Sequence, residues 1–261
     1  MFVFYALFFI FGTIVGSFLN VVVLRLKKNK SIVKNPSHCP HCKRKLRWFE
    51  LIPVVSFFIQ KGKCRRCRKK ISWQYPIVEF FTGLIFVLVI IYFADFSFYG
   101  LVNICYLLIV SCFLIVIFVY DFKYYLVSDK IVYPAIFISL LYNTYLALIT
   151  NQFSVFFYSI LGATVMGGFF LFWVLISKGK WMGIGDIKIG ILLGLIFGIY
   201  QLFTTLFLTF FVGAIVAVIL MILKKKKLKS EIPLGPFLTG AAFITLFWGN
   251  YLLDWYLNMF S

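Results

Sequence analysis

Residues 101–120 read LVNICYLLIVSCFLIVIFVY, and Asp121 follows them directly. These twenty residues carry no charge and are long enough for a helix to cross the hydrocarbon core of a bilayer, which is roughly 30 Å thick. The whole chain has the same character, with 63% hydrophobic and 13% charged residues, whereas soluble domains carry about 25% charged residues. The sequence therefore predicts an all-α polytopic membrane protein.

Similar apolar runs recur along the chain, and about eight of them have the length and hydropathy of transmembrane helices. The candidate spans are residues 2–24, 77–94, 100–120, 130–149, 154–177, 187–200, 202–223 and 235–256. The first run follows no basic segment and is itself followed by Lys and Arg, so we interpret it as a retained helix and not as a signal peptide.

The spans divide the chain into three expected parts. Residues 1–24 form the first transmembrane helix, residues 25–76 form a small aqueous loop domain, and residues 77–261 form a seven-helix membrane core. The loop 25–76 is the segment with enough polar sequence to fold outside the membrane.

The basic residues are confined to a few segments. All 26 Lys and Arg lie in residues 25–76, 121–130, 178–188 and 224–234. Since Lys and Arg concentrate in cytoplasmic loops, this partition predicts a multi-pass protein of the cytoplasmic membrane with its N-terminus outside. The loop 25–76 and Asp121 and Asp186 are then expected at the cytoplasmic side.

The formal net charge of +18 raises the question of nucleic-acid binding. The same charges are better explained as topology signals and as contacts with anionic lipid headgroups. Lys224 to Lys227 are expected to form such an anchor. We therefore expect the lipid bilayer as a partner and no nucleic acid.

The loop contains two C-x2-C pairs, Cys39 with Cys42 and Cys64 with Cys67, separated by 21 residues. Four thiolates at this spacing suit the tetrahedral coordination of Zn²⁺ in a zinc-ribbon-like domain. Four ligands would leave no open position on the metal, so we expect structural zinc. A redox-active pair and unligated thiols are the alternatives.

His38 and His41 adjoin the first cysteine pair, where either could replace a cysteine ligand. Solvent-exposed loop histidines are the alternative interpretation. With both histidines in this loop, the membrane part offers no Ser-His or Cys-His pair for nucleophilic catalysis.

Carboxylates are scarce, because the chain has eight Asp and Glu in 261 residues. Asp121 ends one apolar run, and Asp186 closes Gly183-Ile184-Gly185-Asp186 just before another. An ionisable residue at membrane depth is a candidate functional residue. Two neighbouring carboxyl groups share one proton, the arrangement that aspartyl proteolysis requires. Asp121 and Asp186 are thus the candidate catalytic pair, with Gly183 and Gly185 as supporting residues that allow close approach.

Two other carboxylates are weighed against this pair. Asp129 is the rival of Asp121, but its position before an apolar run also suits a helix N-terminus. Glu79 has a similar explanation near the start of the run 77–94, although it could also approach the cysteine loop or a substrate.

Taken in order, these motifs resemble the prepilin peptidases, which are bifunctional leader peptidases and N-methyltransferases of the GxGD aspartyl class. The motifs that carry the resemblance are Gly16 to Val22 with Arg25, Cys39 to Cys42, Leu51 to Pro53, Ser56-Phe57, Cys64 to Cys67, Ile71 to Trp73, Tyr75 to Glu79, Asp121 to Asp129, Gly183 to Lys188, and Ile232 to Phe237. The chain departs from the pattern at Lys27 and Ser128, where proline is usual, and at Gln74, where arginine is common.

The resemblance implies a specific activity. Such enzymes remove a short basic leader from type IV prepilins or pseudopilins and then methylate the new N-terminal amine with S-adenosylmethionine. The loop 25–76 is too short for a Rossmann cofactor domain, so the contacts of this methyl donor stay unassigned. Small residues of the first helix, Gly12, Gly16 and Ser17, could pack against a client helix or inside the protein itself.

Two other functions remain open at this level. In an ion- or proton-coupled transporter, Asp121 and Asp186 would relay protons or bind a cation. In a non-catalytic zinc-binding scaffold, they would have no chemical role. The sequence leaves the oligomeric state and the identity of the clients open.

Overall fold

The computed structural model describes residues 2–28, 31, 36–223 and 233–259. Nine α-helices occur among them: α1 (Phe2–Lys27), α2 (Val55–Ile59), α3 (Gln74–Phe93), α4 (Phe98–Tyr124), α5 (Asp129–Thr150), α6 (Phe153–Ser177), α7 (Ile184–Phe197), α8 (Leu202–Ile222) and α9 (Gly235–Asn258). Over the described ranges the extended pairing is limited to two isolated bridges, His38 with Lys45 and Lys63 with Lys70. The all-α prediction is confirmed.

Seven of these helices are long and apolar enough to cross a membrane, namely all except α2 and α7. Helix α7 has 14 residues, which at 1.5 Å per residue makes it about 21 Å long and shorter than the hydrocarbon core. The expected span 187–200 thus corresponds to a short helix that starts three residues earlier, at Ile184. The predicted lysine anchor Lys224 to Lys227 lies outside the described residues.

The chain separates into two compact units, Met1–Val116 and Ile117–Ser261. In the first unit, α1 packs closely on α3 through glycines. A Cβ on Gly12 would lie 2.8 Å from Cα of Gly83, and one on Gly16 would lie 2.9 Å from Cα of Glu79. The small residues of the first helix therefore serve packing within the protein, which was one of the two explanations open from the sequence.

In the second unit, α6 and α7 approach each other at glycines as well, because a Cβ on Gly194 would overlap the backbone of Gly162. Helix α7 ends at Gly198, whose φ of 63° favours glycine. The carbonyl of Leu195 in its last turn accepts a hydrogen bond of 2.8 Å from the side-chain amide of Asn143 on α5. Such a partner satisfies a buried carbonyl near the helix end that water does not reach.

The loop domain between α1 and α3 is compact. It has two hydrogen-bonded cysteine turns, a short 3-10 helix at Trp48–Glu50 and the helix α2. Helix α3 begins at Gln74, three residues before the expected span 77–94. The loop contacts this helix at Glu79, whose carboxyl group accepts the N–H of Val54.

Candidate active site and metal site

The two candidate catalytic aspartates are both buried, with 5% of Asp121 and 8% of Asp186 exposed. Asp121 lies in the last turn of α4, which continues past the apolar run to Tyr124. Asp186 is the third residue of α7 and lies in its first turn. The charge of Asp121 acts on Asp186, so the two carboxyl groups are electrostatic neighbours.

A glycine at a helix start orients each carboxyl group. The N–H of Gly183 donates to Oδ2 of Asp186 at 2.9 Å, and the N–H of Asp186 donates to the carbonyl of Gly183 at 3.0 Å. The Asp186 carboxyl group thus caps the N-terminus of α7; because glycine has no side chain, the reciprocal bond is made by the Gly183 backbone carbonyl. The N–H of Gly235, the first residue of α9, donates to the carboxyl group of Asp121. Carboxylates are stabilised at helix N-termini because free N–H groups point at them.

The glycines of this site differ in how much room they have. A Cβ on Gly235 would overlap Oδ2 of Asp121. A Cβ on Gly185 would lie 2.5 Å from a methyl group of Val127, in the turn between α4 and α5. A Cβ on Gly183 would meet nothing closer than 3.8 Å. Gly185 and Gly235 are therefore required for close packing around the two aspartates, whereas Gly183 acts through its backbone.

Asp129 has a different environment from Asp121. It is the first residue of α5, its side chain is 55% exposed, and its Oδ1 lies 2.5 Å from Nζ of Lys188 on α7. The Lys188 ammonium also lies over the ring of Tyr133, 5.2 Å from the centroid. This geometry matches the helix-start explanation of Asp129, and it joins the beginning of α5 to the beginning of α7.

The four loop cysteines come together in one cluster. Their sulfur atoms all lie within 4.8 Å of one another, and Sγ of Cys39 is 3.8 Å from Sγ of Cys67. Zn–S bonds of about 2.3 Å in a tetrahedron place the ligand sulfurs about 3.8 Å apart, so the cluster fits a zinc ion. His38 and His41 are both exposed, and the cluster found among the described residues consists of cysteines.

Both cysteine turns have the same construction. The N–H of Lys43 donates to the carbonyl of Cys39, and that of Arg68 donates to the carbonyl of Cys64, each at 2.9 Å. Lys43 and Arg68 occupy the left-handed region with φ of 55° and 54°. In the second turn, the N–H groups of Cys67 and Arg66 lower the pKa of the Cys64 thiol to about 6. The N–H of Lys69 lowers the pKa of the Cys67 thiol, but burial and the neighbouring thiols outweigh it and raise this pKa to about 11, so the two thiols of this turn do not ionise alike before a metal binds.

A buried ion pair braces the first cysteine turn. Nη2 of Arg44 lies 2.6 Å from Oε1 of Glu50, and the backbone N–H of Arg47 donates to Oε2 at 2.9 Å. Burial by itself raises the pKa of Glu50, but these two donors outweigh it and hold the pKa below its usual range. Arg44 also bonds to Cys64, so this pair connects the two halves of the cluster.

Sequence reasoning named the two aspartates, the four cysteines and the supporting glycines Gly183 and Gly185, but it did not predict the roles of Gly235 and Lys188. The contact of Gly235 with Asp121 and the pairing of Lys188 with Asp129 join residues that are far apart in the chain. No local pattern reports such contacts; the motif around Gly235 was noted for its resemblance alone. Glu79 proves to contact the loop, one of the possibilities considered for it: its Oε2 accepts the N–H of Val54 at 2.7 Å.

Comparison with known proteins gives matches over both units. Residues 10–93 match the bacterial peptidase A24 N-terminal domain, and residues 108–218 match the type IV leader peptidase family. No solved structure matches the chain.

The curated relatives cover nearly the whole chain. The chain is 31% identical over 276 residues to a prepilin leader peptidase/N-methyltransferase of Xanthomonas campestris pv. campestris, covering 95% of this chain and 92% of the relative. It is 30% identical over 270 residues to the protein of that name in Pseudomonas aeruginosa, covering 95% and 91%. For the Bacillus subtilis protein of that name, identity is 27% over 258 residues, covering 96% and 97%.

Proposed function

The chain belongs to the type IV leader peptidase family, and we propose that it is a membrane aspartyl endopeptidase that removes the leader of type IV prepilin-like proteins and then N-methylates the new N-terminus. The observation that supports this most directly is the pair of buried aspartates, each oriented by the N–H of a glycine at a helix start. The relatives named above carry both activities in their names. No feature of the structure favours a transporter or a scaffold.

In the proposed cleavage, one carboxyl group of the pair Asp121 and Asp186 is ionised and the other is protonated. The ionised group takes a proton from a water molecule while the water oxygen attacks the scissile carbonyl carbon. The protonated group donates a hydrogen bond to the carbonyl oxygen. When the C–N bond breaks, a proton passes to the leaving amine, and the pair regains its single shared proton.

The burial of the pair supports this chemistry. Shared protonation of two carboxyl groups requires that water does not screen them from one another. The N–H groups of Gly183 and Gly235 fix the directions of both carboxyl groups before substrate arrives, so little reorganisation is needed during the reaction.

The four cysteines are proposed to hold a structural zinc ion. Its coordination by four thiolates is closed, so the ion would stabilise the loop fold and would not activate water. We propose that Cys39, Cys42, Cys64 and Cys67 are these ligands, with the pair of Arg44 and Glu50 supporting them.

The proposed methyl donor is S-adenosylmethionine, which supplies an electrophilic methyl group to the new N-terminal amine. An open hollow of about 360 Å³ lies beside the second cysteine turn. It is lined by the aromatic residues Phe57, Phe58 and Trp73 and by the basic residues Lys61, Lys63 and Lys70. This volume lies within the ordinary range of small-molecule sites, about 300–1,000 Å³.

The proposed orientation follows from charge. With the N-terminus outside, the loop domain and both aspartates are on the cytoplasmic side, where all 26 Lys and Arg of the chain would also lie. A prepilin leader would be cut at this face. The three-part organisation, residues 1–24, 25–76 and 77–261, is proposed on the same grounds.

The test is cleavage of a model prepilin in liposomes by the parent enzyme and by Asp121→Asn, Asp186→Asn and Asp129→Asn, with mass spectrometry of the product N-terminus. We expect the first two variants to lose cleavage completely and Asp129→Asn to remain active. With S-adenosylmethionine, the parent product should be heavier by one methyl group. Full cleavage by Asp121→Asn or Asp186→Asn would disprove the aspartyl mechanism.

A further inference from the structure

Val54 has a backbone conformation that valine rarely adopts. Its φ of 60° and ψ of −57° form a strained γ-turn, closed by a hydrogen bond of 2.5 Å from the N–H of Val55 to the carbonyl of Pro53. A positive φ is a genuine outlier for a β-branched residue. Such strain persists where surrounding contacts determine the conformation, and it concentrates at functional sites.

A membrane helix contacts the backbone of Val54 at this turn. Oε2 of Glu79, on α3, accepts the N–H of Val54 at 2.7 Å. Glu79 is buried and also accepts a hydrogen bond from the hydroxyl of Ser17 on α1. The backbone of α3 at Glu79 packs against Gly16 of α1, where an added Cβ would lie 2.9 Å from Cα of Glu79. The proposed cleavage chemistry does not use it.

The turn at Val54 begins α2, and α2 forms one wall of the hollow. Phe57 of α2 is buried and packs on Trp73 with ring centroids 4.9 Å apart. A Cβ added to Gly62 would lie 3.1 Å from Cζ of Phe57. The Phe57 ring therefore packs closely on the segment that leads into the second cysteine turn. If the turn at Val54 relaxed to an ordinary conformation, the direction of α2 and the positions of Phe57 and Phe58 would change.

We propose that Glu79 is a positioning residue for methyl transfer: its carboxylate holds Val54 in the strained turn, and this turn fixes α2 and the aromatic wall of the hollow. The inference rests on the proposed N-methyltransferase function. Glu79 and the hollow lie in the part that matches the bacterial peptidase A24 N-terminal domain, whereas the match to the leader peptidase family contains both aspartates. Cleavage should therefore depend little on Glu79.

The test uses the full-length protein in liposomes, with a model prepilin and S-adenosylmethionine carrying a labelled methyl group. Glu79→Ala removes the acceptor of the Val54 N–H, and we expect methylation to fall by about tenfold or more while cleavage stays within about twofold. Glu79→Gln keeps a carbonyl acceptor, so it should methylate nearly as well as the parent. A loss in Glu79→Gln equal to that in Glu79→Ala would overturn the positioning role, since it would mean that the negative charge itself is needed.

A suppressor variant separates this role from general stability. Glycine adopts a positive φ without strain, so Val54→Gly should not need the carboxylate. We expect Val54→Gly combined with Glu79→Ala to restore methylation to within about threefold of the parent, and Val54→Gly alone to match the parent. A double variant no better than Glu79→Ala alone would overturn the inference.

Hydrogen exchange of residues 51–59 gives a second readout that needs no activity. Exchange there should be faster in Glu79→Ala and return to the parent rate in the double variant. Unchanged exchange in Glu79→Ala would refute the role of Glu79 even if methylation fell. A parent enzyme that does not methylate a verified client would instead refute the proposed function, and the exchange data would still decide whether Glu79 holds the turn.

Discussion

The cysteine cluster and the aspartate pair are assembled in opposite ways. The cluster is made by two turns of the same construction, each closed by hydrogen bonds between residues four positions apart, such as Lys43 to Cys39. The aspartate pair is made at the ends of separate helices; Gly183 supports Asp186 from the start of the same helix α7, whereas Gly235 supports Asp121 from the distant helix α9. The loop is therefore organised by local turns and by the proposed zinc ion, whereas the aspartate site depends on close packing between distant segments.

Removal of the proposed zinc ion is expected to unfold the cysteine cluster and to leave the aspartate pair intact. Without zinc, the loop loses its main stabilising interaction, as in other small zinc modules. Treatment with a chelator, or Cys64→Ser, should abolish methylation, while cleavage should persist because the aspartate supports lie in residues 117–261. Zinc content by elemental analysis and both activities on one prepilin preparation would show this. Loss of cleavage in proportion to lost zinc would contradict the separation of the two regions.

Among glycine replacements near the aspartate pair, Gly235→Ala should lower the rate of cleavage most. The added Cβ would overlap Oδ2 of Asp121, so the carboxyl group must turn away from the Gly235 N–H. Misplacement of a catalytic group by about 1 Å can lower the rate about 100-fold. We expect this loss in kcat, with little change in KM.

Gly240→Ala is the matched control for this replacement, because Gly240 lies on the same helix α9 and a Cβ there meets nothing within 4 Å. It should cleave like the parent. Equal loss in both variants would show that α9 tolerates no alanine, and the specific contact with Asp121 would then not be the cause.

The two glycines beside Asp186 should respond differently to alanine. In Gly185→Ala the new Cβ lies 2.5 Å from the side chain of Val127, and such overpacking typically costs about 1–3 kcal/mol. We expect cleavage to fall by about tenfold in Gly185→Ala and to stay within about twofold in Gly183→Ala, which keeps its N–H and has room for a methyl group.

Initial rates of prepilin cleavage for both variants measure this difference. Val127→Ala combined with Gly185→Ala should recover part of the lost rate, because it removes the methyl groups that clash. If Gly183→Ala lost more cleavage activity than Gly185→Ala, the space for an added methyl group would be limited by the bound substrate and not by Val127.

The ion pair of Lys188 and Asp129 should matter least. Asp129 is more than half exposed, and exposed ion pairs contribute about 0–1 kcal/mol. We expect Lys188→Met and Asp129→Asn each to lower cleavage by less than about fivefold, and the double variant to be no worse than either one. A double-mutant cycle on cleavage rate and on thermal stability measures this. A loss in Asp129→Asn comparable to that in Asp121→Asn would place Asp129 in the chemistry.

Much of the architecture could be read from hydropathy and charge alone. The apolar runs predicted the membrane helices because a helix in lipid must be apolar along nearly its whole length. Their ends were less predictable: α3 and α7 each begin three residues before the expected span, and α4 continues past Asp121 to Tyr124. Hydropathy cannot locate these ends because each addition contains a polar or charged residue, namely Gln74, Asp186 and Asp121, that interrupts the apolar run.

The candidate sites were also predictable only in part. The spacing of Cys39, Cys42, Cys64 and Cys67 predicted a cluster because each pair forms its own turn, and two turns of one short loop can meet easily. The scarcity of acids drew attention to Asp121 and Asp186. Their orientation could not be predicted, since the N–H of Gly235 reaches Asp121 from a segment more than a hundred residues away.

The sequence by itself determined the class of this protein, its membrane segments and the residue types able to do its chemistry, because composition, apolar length and short spacings are local properties of the chain. The tertiary structure decided which carboxylates are buried together, which glycines must remain glycine, and which helix holds Val54 in its strained turn. These features arise from contacts of a few ångströms between residues distant in sequence, and no local pattern records such contacts.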